Sequence, residues 1–274
     1  MNIQKQVILH VDDIWSTLSA NRAAFAFLSQ GLATSWSVMI PSKTFSNFMQ
    51  YDTSGFDMWV HLTLTSEWEN TRNKRSPTLP ISEVPSLVDP DWFFRRTIEE
   101  LYRHCSLKEV YLELSNQIRI AQKVWLQVSH IDSHMGSLLH KKLFPIYSKL
   151  AIDFNIQPFI CLPRATDTLW NWFYDCDYEI NALVQKGFKV LDHFDSNSLY
   201  MGDNYMAHCI ERIKNIQKWS TYFILHLLDK WVNDNEKPPD YQARQNEYNC
   251  FWDPIVQNFL TDLDIDRISF VNWL

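Results

Sequence analysis

Apolar runs of strand length recur along the chain, at Val7–Val11, Ser35–Ile40, Met58–Leu64, Val124–Ile131, Gln157–Leu162, Phe188–Leu191, Tyr222–Leu227 and Ile268–Trp273. Between most of them lie amphipathic stretches of helical period, such as Ile14–Gln30 and Ile98–Lys123. Strand alternating with helix in this way is the pattern of a parallel sheet. At this length the pattern predicts the α/β class, with an irregular (β/α), TIM-like barrel as the simplest architecture. No internal repeat or low-complexity tract interrupts it, so the expected organisation is a single domain over residues 1–274. Two segments depart from the alternation. Residues 66–92 carry Pro77, Pro80, Pro85 and Pro90 and a basic patch at Arg72, Lys74 and Arg75. A long Pro-rich loop after a strand is where a substrate lid or wall would stand. Residues 233–247, with Asn233, Asp234, Asn235, Pro238 and Pro239, read as a solvated connection.

The 274 residues are 46% hydrophobic and 15% aromatic, enough for a substantial ordered core. A formal charge of −7 offers no basic face for nucleic acid. The five cysteines, at 105, 161, 176, 209 and 250, are odd in number and scattered, and read as reduced thiols. The first residues lack the apolar core of a signal peptide, and no run approaches the length of a membrane span. The cytoplasm is therefore the expected location, although export without an N-terminal signal would leave the same trace. Twelve Trp against five Gly is unusual for a barrel. The surplus reads first as core packing and second as platforms for sugar rings.

Candidate chemistry concentrates where three of the apolar runs end: His10-Val11-Asp12-Asp13, Val60-His61-Leu62-Thr63 and His130-Ile131-Asp132-Ser133-His134. Sites in α/β folds are built at the carboxyl ends of strands. His130, Asp132 and His134 alternate at period two, and ionisable groups on one face of a buried strand are costly unless paired or metal-bound. The zincin alternative fails, since Ile131 stands where that motif needs Glu. Asp12 and Asp13 would face opposite ways on a continuing strand, but a turn at its last residue aims both at the mouth, leaving one to ligate and one to act as base. The competing reading makes one of them the N-cap of the following helix. His61 and His226 each interrupt an apolar strand, and Arg164 follows another, where it would bind substrate or an inner Asp. His104, His140, His193 and His208 have no such setting. One Asp and two His suffice for a divalent metal that keeps positions open, Zn²⁺ first, with Co²⁺, Ni²⁺, Fe²⁺ or a more hydrated Mg²⁺ as alternatives.

These blocks, with Asn21, Gly31-Leu32-Ala33-Thr34-Ser35, His61 through Trp68, Pro85-Ser86-Leu87 and Glu113 through Ile118, resemble in order the YdjC-like carbohydrate deacetylases, the chitooligosaccharide deacetylase group. The resemblance implies an irregular (β/α) barrel, a divalent metal and hydrolysis of an N-acetyl group from an amino sugar or acetylated oligosaccharide. By position it implies Asp13, His61 and His134 as ligands, Asp12 as base, His226 as acid and Arg164 near the substrate. Apart from the resemblance, Asp132 is expected to orient His226 or His10 from behind, and His130 to stand with it in support. Three departures stand out. Ile14-Trp15 replaces the Phe-Gly that follows the Asp pair, Leu227 replaces the Pro after the late His, and Asn70–Arg75 replaces a more aromatic loop. They leave two rival expectations: a weakened barrel that binds a sugar or partner, and a metal-dependent phosphoesterase or lyase gripping phosphate through Arg164 or Arg72–Arg75. A homodimer is compatible with either.

Overall fold

The computed structural model describes residues 5–14, 16–48, 51–53, 55–69, 73–124, 128–161, 176–232 and 237–274. Eight strands are present among them: β1 (Lys5–Ile14), β2 (Ser35–Val38), β3 (Met58–Leu62), β4 (Val128–Ser133), β5 (Gln157–Pro158), β6 (His193–Asp195), β7 (Trp219–His226) and β8 (Ile265–Arg267). All pair in parallel, in the order β5-β4-β3-β2-β1-β7-β6, with β8 also on β1. One side of β1 serves two neighbours in turn, β8 at Lys5–Val7 and β2 from His10 onward. The sheet curls: past β5, Cys161 forms an isolated parallel bridge with Leu191, just before β6.

The helices are α1 (Leu18–Ser29), α2 (Phe45–Phe48), α3 (Ile98–His104), α4 (Leu107–Lys123), α5 (Phe144–Phe154), α6 (Asp177–Gln185), α7 (Tyr205–Lys214), α8 (Tyr241–Trp252), α9 (Pro254–Asp262) and α10 (Phe270–Trp273). In α4 the buried positions Val110, Leu114, Gln117, Ile118 and Ala121 recur at helical spacing, which lays one stripe on the sheet. β1 is buried from Val7 to Ile14, as a central parallel strand covered on both faces must be. Trp36, Trp59, Tyr147, Phe223 and Phe251 fill the core without exposure; each such side chain contributes about 1.5–3 kcal/mol by leaving water. Among the described residues no helix is long and apolar enough to cross a membrane.

Several boundaries differ from the sequence expectation. The strand expected at Phe188–Leu191 is displaced to β6. The run Ile268–Trp273 is mostly helix: the Ser269 side chain accepts from Asn272 N, and Asp57 Oδ2 accepts from the N–H groups of Phe270 and Val271, so the backbone turns into α10. The stretch Ile98–Lys123 breaks at Cys105 and Ser106 into α3 and α4. Most consequential, the expected connection 233–247 contains the first half of α8. The described part of the Pro-rich loop from residue 73 to 92 forms a wall, held where the buried Glu113 accepts from the backbone N–H groups of Thr78 and Leu79.

Candidate metal centre and active site

The end of β1 places two adjacent carboxylates in one cavity. Its register on β2 shifts between Val11 and Ile14, and Asp13 takes a left-handed backbone with φ of 61°. Such a bulge re-aims a side chain that regular alternation would turn away, and Asp tolerates this conformation better than most residues. Asp12 and Asp13 both line the cavity. Neither caps a helix, since Thr17 is the N-cap of α1 and its hydroxyl accepts from Ala20 N.

His61 enters from β3 and His134 from the turn after β4, where Met135 and Gly136 are left-handed at φ of 55° and 61°. His61 Nδ1 lies 2.7 Å from Asp132 Oδ1, so its Nε2 faces the centre. There it stands 3.4 Å from Asp13 Oδ1 and 3.2 Å from His134 Nδ1, which is itself 3.1 Å from the same Asp13 oxygen. The buried Asp13 Oδ1 makes no hydrogen bond. Three atoms able to ligate a metal thus converge within 4.8 Å of one another without satisfying each other, an arrangement that fits a divalent cation. Behind them, both Glu67 carboxylate oxygens lie 3.1 Å from His134 Nε2, and Arg75 pairs with Glu67. Arg244 donates to Asp13 Oδ2 at 2.9 Å and to Asp240 Oδ1 at 3.0 Å.

The charge pattern agrees with a cation. Burial pulls the His61 imidazole down, but Asp132 and Asp12 more than offset it and hold its pKa well above the ordinary value. Burial acts likewise on His134, outweighed by Glu67 and Asp13. Asp13 is pushed up by burial and brought well below the usual carboxylate range by Arg244 and His134.

Asp12 Oδ1 accepts from Ser37 Oγ at 3.0 Å and lies 3.0 Å from His10 Nε2. His226, at the end of β7, points Nε2 toward Asp12 Oδ2 and Asp13 Oδ2, 3.9 Å from each, with Nδ1 2.8 Å from Ser198 Oγ. Burial lowers its pKa, with Asp13 acting against that shift.

The structure therefore brings together Asp12, Asp13, His61, Asp132, His134 and His226. Asp132, expected to orient His226 or His10, instead orients His61 through its Oδ1, with Oδ2 3.6 Å from His10. His130 is not part of the cavity lining; it lies deeper, edge-on to Trp59 and stacked on Phe270. Arg164 lies outside the described residues, as does Arg72. Arg75 does not reach outward for phosphate: it is buried and committed to Glu67 and to the Thr65 carbonyl. Sequence reasoning gave no role to Glu67, Ser198, Arg244 or Glu247, and the phosphate grip it suggested for Arg75 does not match that side chain's buried place beside Glu67. The one usable signal was Arg244 and Glu247 three residues apart, on one face of a helix.

The cavity measures about 510 Å³, polar at the strand ends and walled by Trp68, Leu139, Phe159, Phe194 and Ile224. Residues 6–262 match the model of the family described as YdjC-like protein. The chain belongs to the YdjC-like family. Carbohydrate deacetylase from Thermus thermophilus is 34% identical to this YdjC-like chain over 157 residues, spanning 57% of this chain and 54% of that one, about half its length. Carbohydrate deacetylase from Thermoanaerobacter pseudethanolicus is 22% identical over 267 residues, 95% and 96% of the two chains. A crystal structure from Enterococcus faecalis V583, described as a candidate cellobiose-phosphate cleavage protein, superposes with a TM-score of 0.80 at 18% identity, over 98% of this chain and 99% of that one. That likeness extends to the fold.

Proposed function

We propose that this YdjC-like protein is a metal-dependent hydrolase that removes an N-acetyl group from an amino sugar or acetylated oligosaccharide. The observation that carries the reading is the convergence of Asp13 Oδ1, His61 Nε2 and His134 Nδ1, with that Asp13 oxygen lacking a hydrogen bond. The relatives named carbohydrate deacetylase support the substrate class. So do the aromatic walls, since Trp68, Phe159 and Phe194 offer flat apolar faces to sugar rings. In this reading the chain is one domain over residues 1–274, the curled sheet is an irregular (β/α) barrel, and the ion is Zn²⁺, with Mg²⁺, Co²⁺ and Ni²⁺ as alternatives.

Asp13, His61 and His134 hold the ion. Bound there, it supplies Lewis acidity toward an amide carbonyl and toward water. Asp12 is the base: Ser37 holds its Oδ1, with His10 Nε2 3.0 Å from the same oxygen, and Oδ2, toward His226, takes the proton of the attacking water. His226 Nε2 gives a proton to the departing amine, and the products are acetate and the free amino sugar. Asp132 and Glu67 keep the ligand imidazoles aimed.

The test is metal content of the purified protein beside a His61→Ala/His134→Ala variant, with acetate release from N-acetylglucosamine oligomers assayed on both. The reading expects near-stoichiometric metal and acetate release from the wild type and neither from the variant. Wild-type protein that takes up no metal after reloading with Zn²⁺, Co²⁺ or Mg²⁺ overturns it. So does metal-loaded protein that leaves every N-acetylated sugar intact.

A further inference from the structure

His226 is held from behind by a short chain of groups that decides which of its nitrogens carries a proton. The ring's Nδ1 lies 2.8 Å from Ser198 Oγ, and the same hydroxyl lies 2.6 Å from Glu247 Oε2. A serine hydroxyl has one proton to give, and a carboxylate only accepts. That proton therefore goes to Glu247, and Ser198 Oγ turns a lone pair to the ring, which must donate from Nδ1–H. Glu247 is not free to swing away. Its Oε2 also accepts from the backbone N–H of His226 at 2.7 Å, while its Oε1 pairs with Arg212. Arg212 is in turn fixed by Asp195 Oδ1 at 2.9 Å and by the Ile224 carbonyl at 2.7 Å. Arg212 and Glu247 are both buried.

We propose that Ser198 and Glu247 are positioning residues that hold His226 as the Nδ1–H tautomer, making Nε2, the nitrogen turned to the cavity, the one that exchanges a proton with the substrate. This rests on His226 being the proton donor to the departing amine. Nε2 first takes the proton that Asp12 Oδ2 removed from water. In the transfer step that Nε2–H bond breaks, an N–H bond forms on the amine as its bond to the acetyl carbon breaks, and the ring returns to neutrality with its Nδ1–H intact. The opposite tautomer would set two acceptors against Ser198 with one proton between them. A buried hydrogen bond left unmade disfavours that state by about tenfold or more. The hydroxyl between carboxylate and imidazole also keeps the negative charge from contacting the ring directly.

The test reads the tautomer itself. Long-range ¹H–¹⁵N correlation spectra are recorded on Zn²⁺-loaded, ¹⁵N-histidine-labelled protein at a pH where His226 is neutral, its signals assigned by their loss in His226→Gln. The expected wild-type pattern is a protonated Nδ1 and an unprotonated Nε2. Ser198→Ala should lose this preference or invert it, and Ser198→Thr should restore it. In steady-state assays on an N-acetylated sugar, Ser198→Ala should lower kcat about 10- to 100-fold with KM little changed, and Ser198→Thr should recover most of the loss. An Nε2–H tautomer in the wild type, or a pattern unchanged by Ser198→Ala, overturns the proposal. Absence of acetate release from the wild type overturns the hydrolase reading, while the spectra still decide the tautomer.

Discussion

Glu67 reaches His134 from the Pro-rich wall and offers both carboxylate oxygens to Nε2, so the nitrogen left for the centre is Nδ1. Groups that fix a ligand imidazole in this way are commonly worth 10–100-fold in metal affinity. Glu67→Ala should therefore weaken Zn²⁺ binding by about 10- to 100-fold in a competition titration with a chromophoric chelator. Glu67→Gln, which keeps one acceptor oxygen, should lose less. Unchanged affinity in Glu67→Ala would show that the ring is held by packing alone. Single residues were legible in the sequence where their type violates their setting. Asp12, Asp13, His61 and His134 are ionisable groups at the ends of apolar strands, and burial there is costly without a partner. Glu67 sits among Thr65, Ser66 and Trp68, where a glutamate violates nothing, and its role depends on a turn that no local pattern announces.

The same distinction holds for whole elements. β1, β3, β4 and β7 were legible as apolar runs because both faces of a parallel strand are covered. α8 was not, for a definite reason. Its buried stripe is Ala243, Arg244, Glu247, Cys250 and Phe251, and two of those five positions are ionic, so the apolar period that marks a helix is broken by the residues that serve the site. The run that forms α10 is short and apolar, and such a run fits strand or helix equally. What starts it is a carboxylate distant in sequence: Asp57, just before β3, accepts from Phe270 N at 2.6 Å and from Val271 N at 3.2 Å, and takes Ser129 Oγ at 2.9 Å. Asp57→Ala leaves the buried Phe270 N–H and two part-buried donors without their acceptor and should cost about 1–3 kcal/mol in urea unfolding. A loss below the scatter of the measurement would mean that α10 is held by Phe270 packing alone.

At the scale of the molecule, stability should respond to pH through His130. This imidazole is fully buried against Trp59 and Phe270, and burial, aided by the nearby His10, holds its pKa well below the ordinary value. Below about pH 6.5 the unfolded chain takes up a proton that the folded one refuses, so this contribution to stability falls as pH drops, by at most about 1.4 kcal/mol per unit. His61 and His134, whose pKa values are raised, act in the opposite sense: their contribution is present below that pH and is lost as pH rises through their folded values. Wild type minus His130→Phe isolates the first effect. The variant should lose less stability than the wild type between pH 7 and pH 5.5 in urea unfolding, and equal losses would place a proton on His130 in the folded state.

The pairing of β1 with β7, from Lys5 with Trp219 through Asp12 with His226, also has a consequence for how the protein is made. β1 is synthesised before the other seven described strands, yet it lies inside the finished sheet with β2, β7 and β8 as neighbours. Asp13 meets Arg244 only after 231 further residues have been added, some ~10–50 s at ordinary rates of synthesis. Through that interval the strand lacks a neighbour along one side, and its terminal carboxylates lack their arginine. Parallel pairing across so long a separation closes late and slowly. Asp12 and Asp13 are thus synthesised long before Arg244, the side chain that pairs with Asp13 in the finished fold.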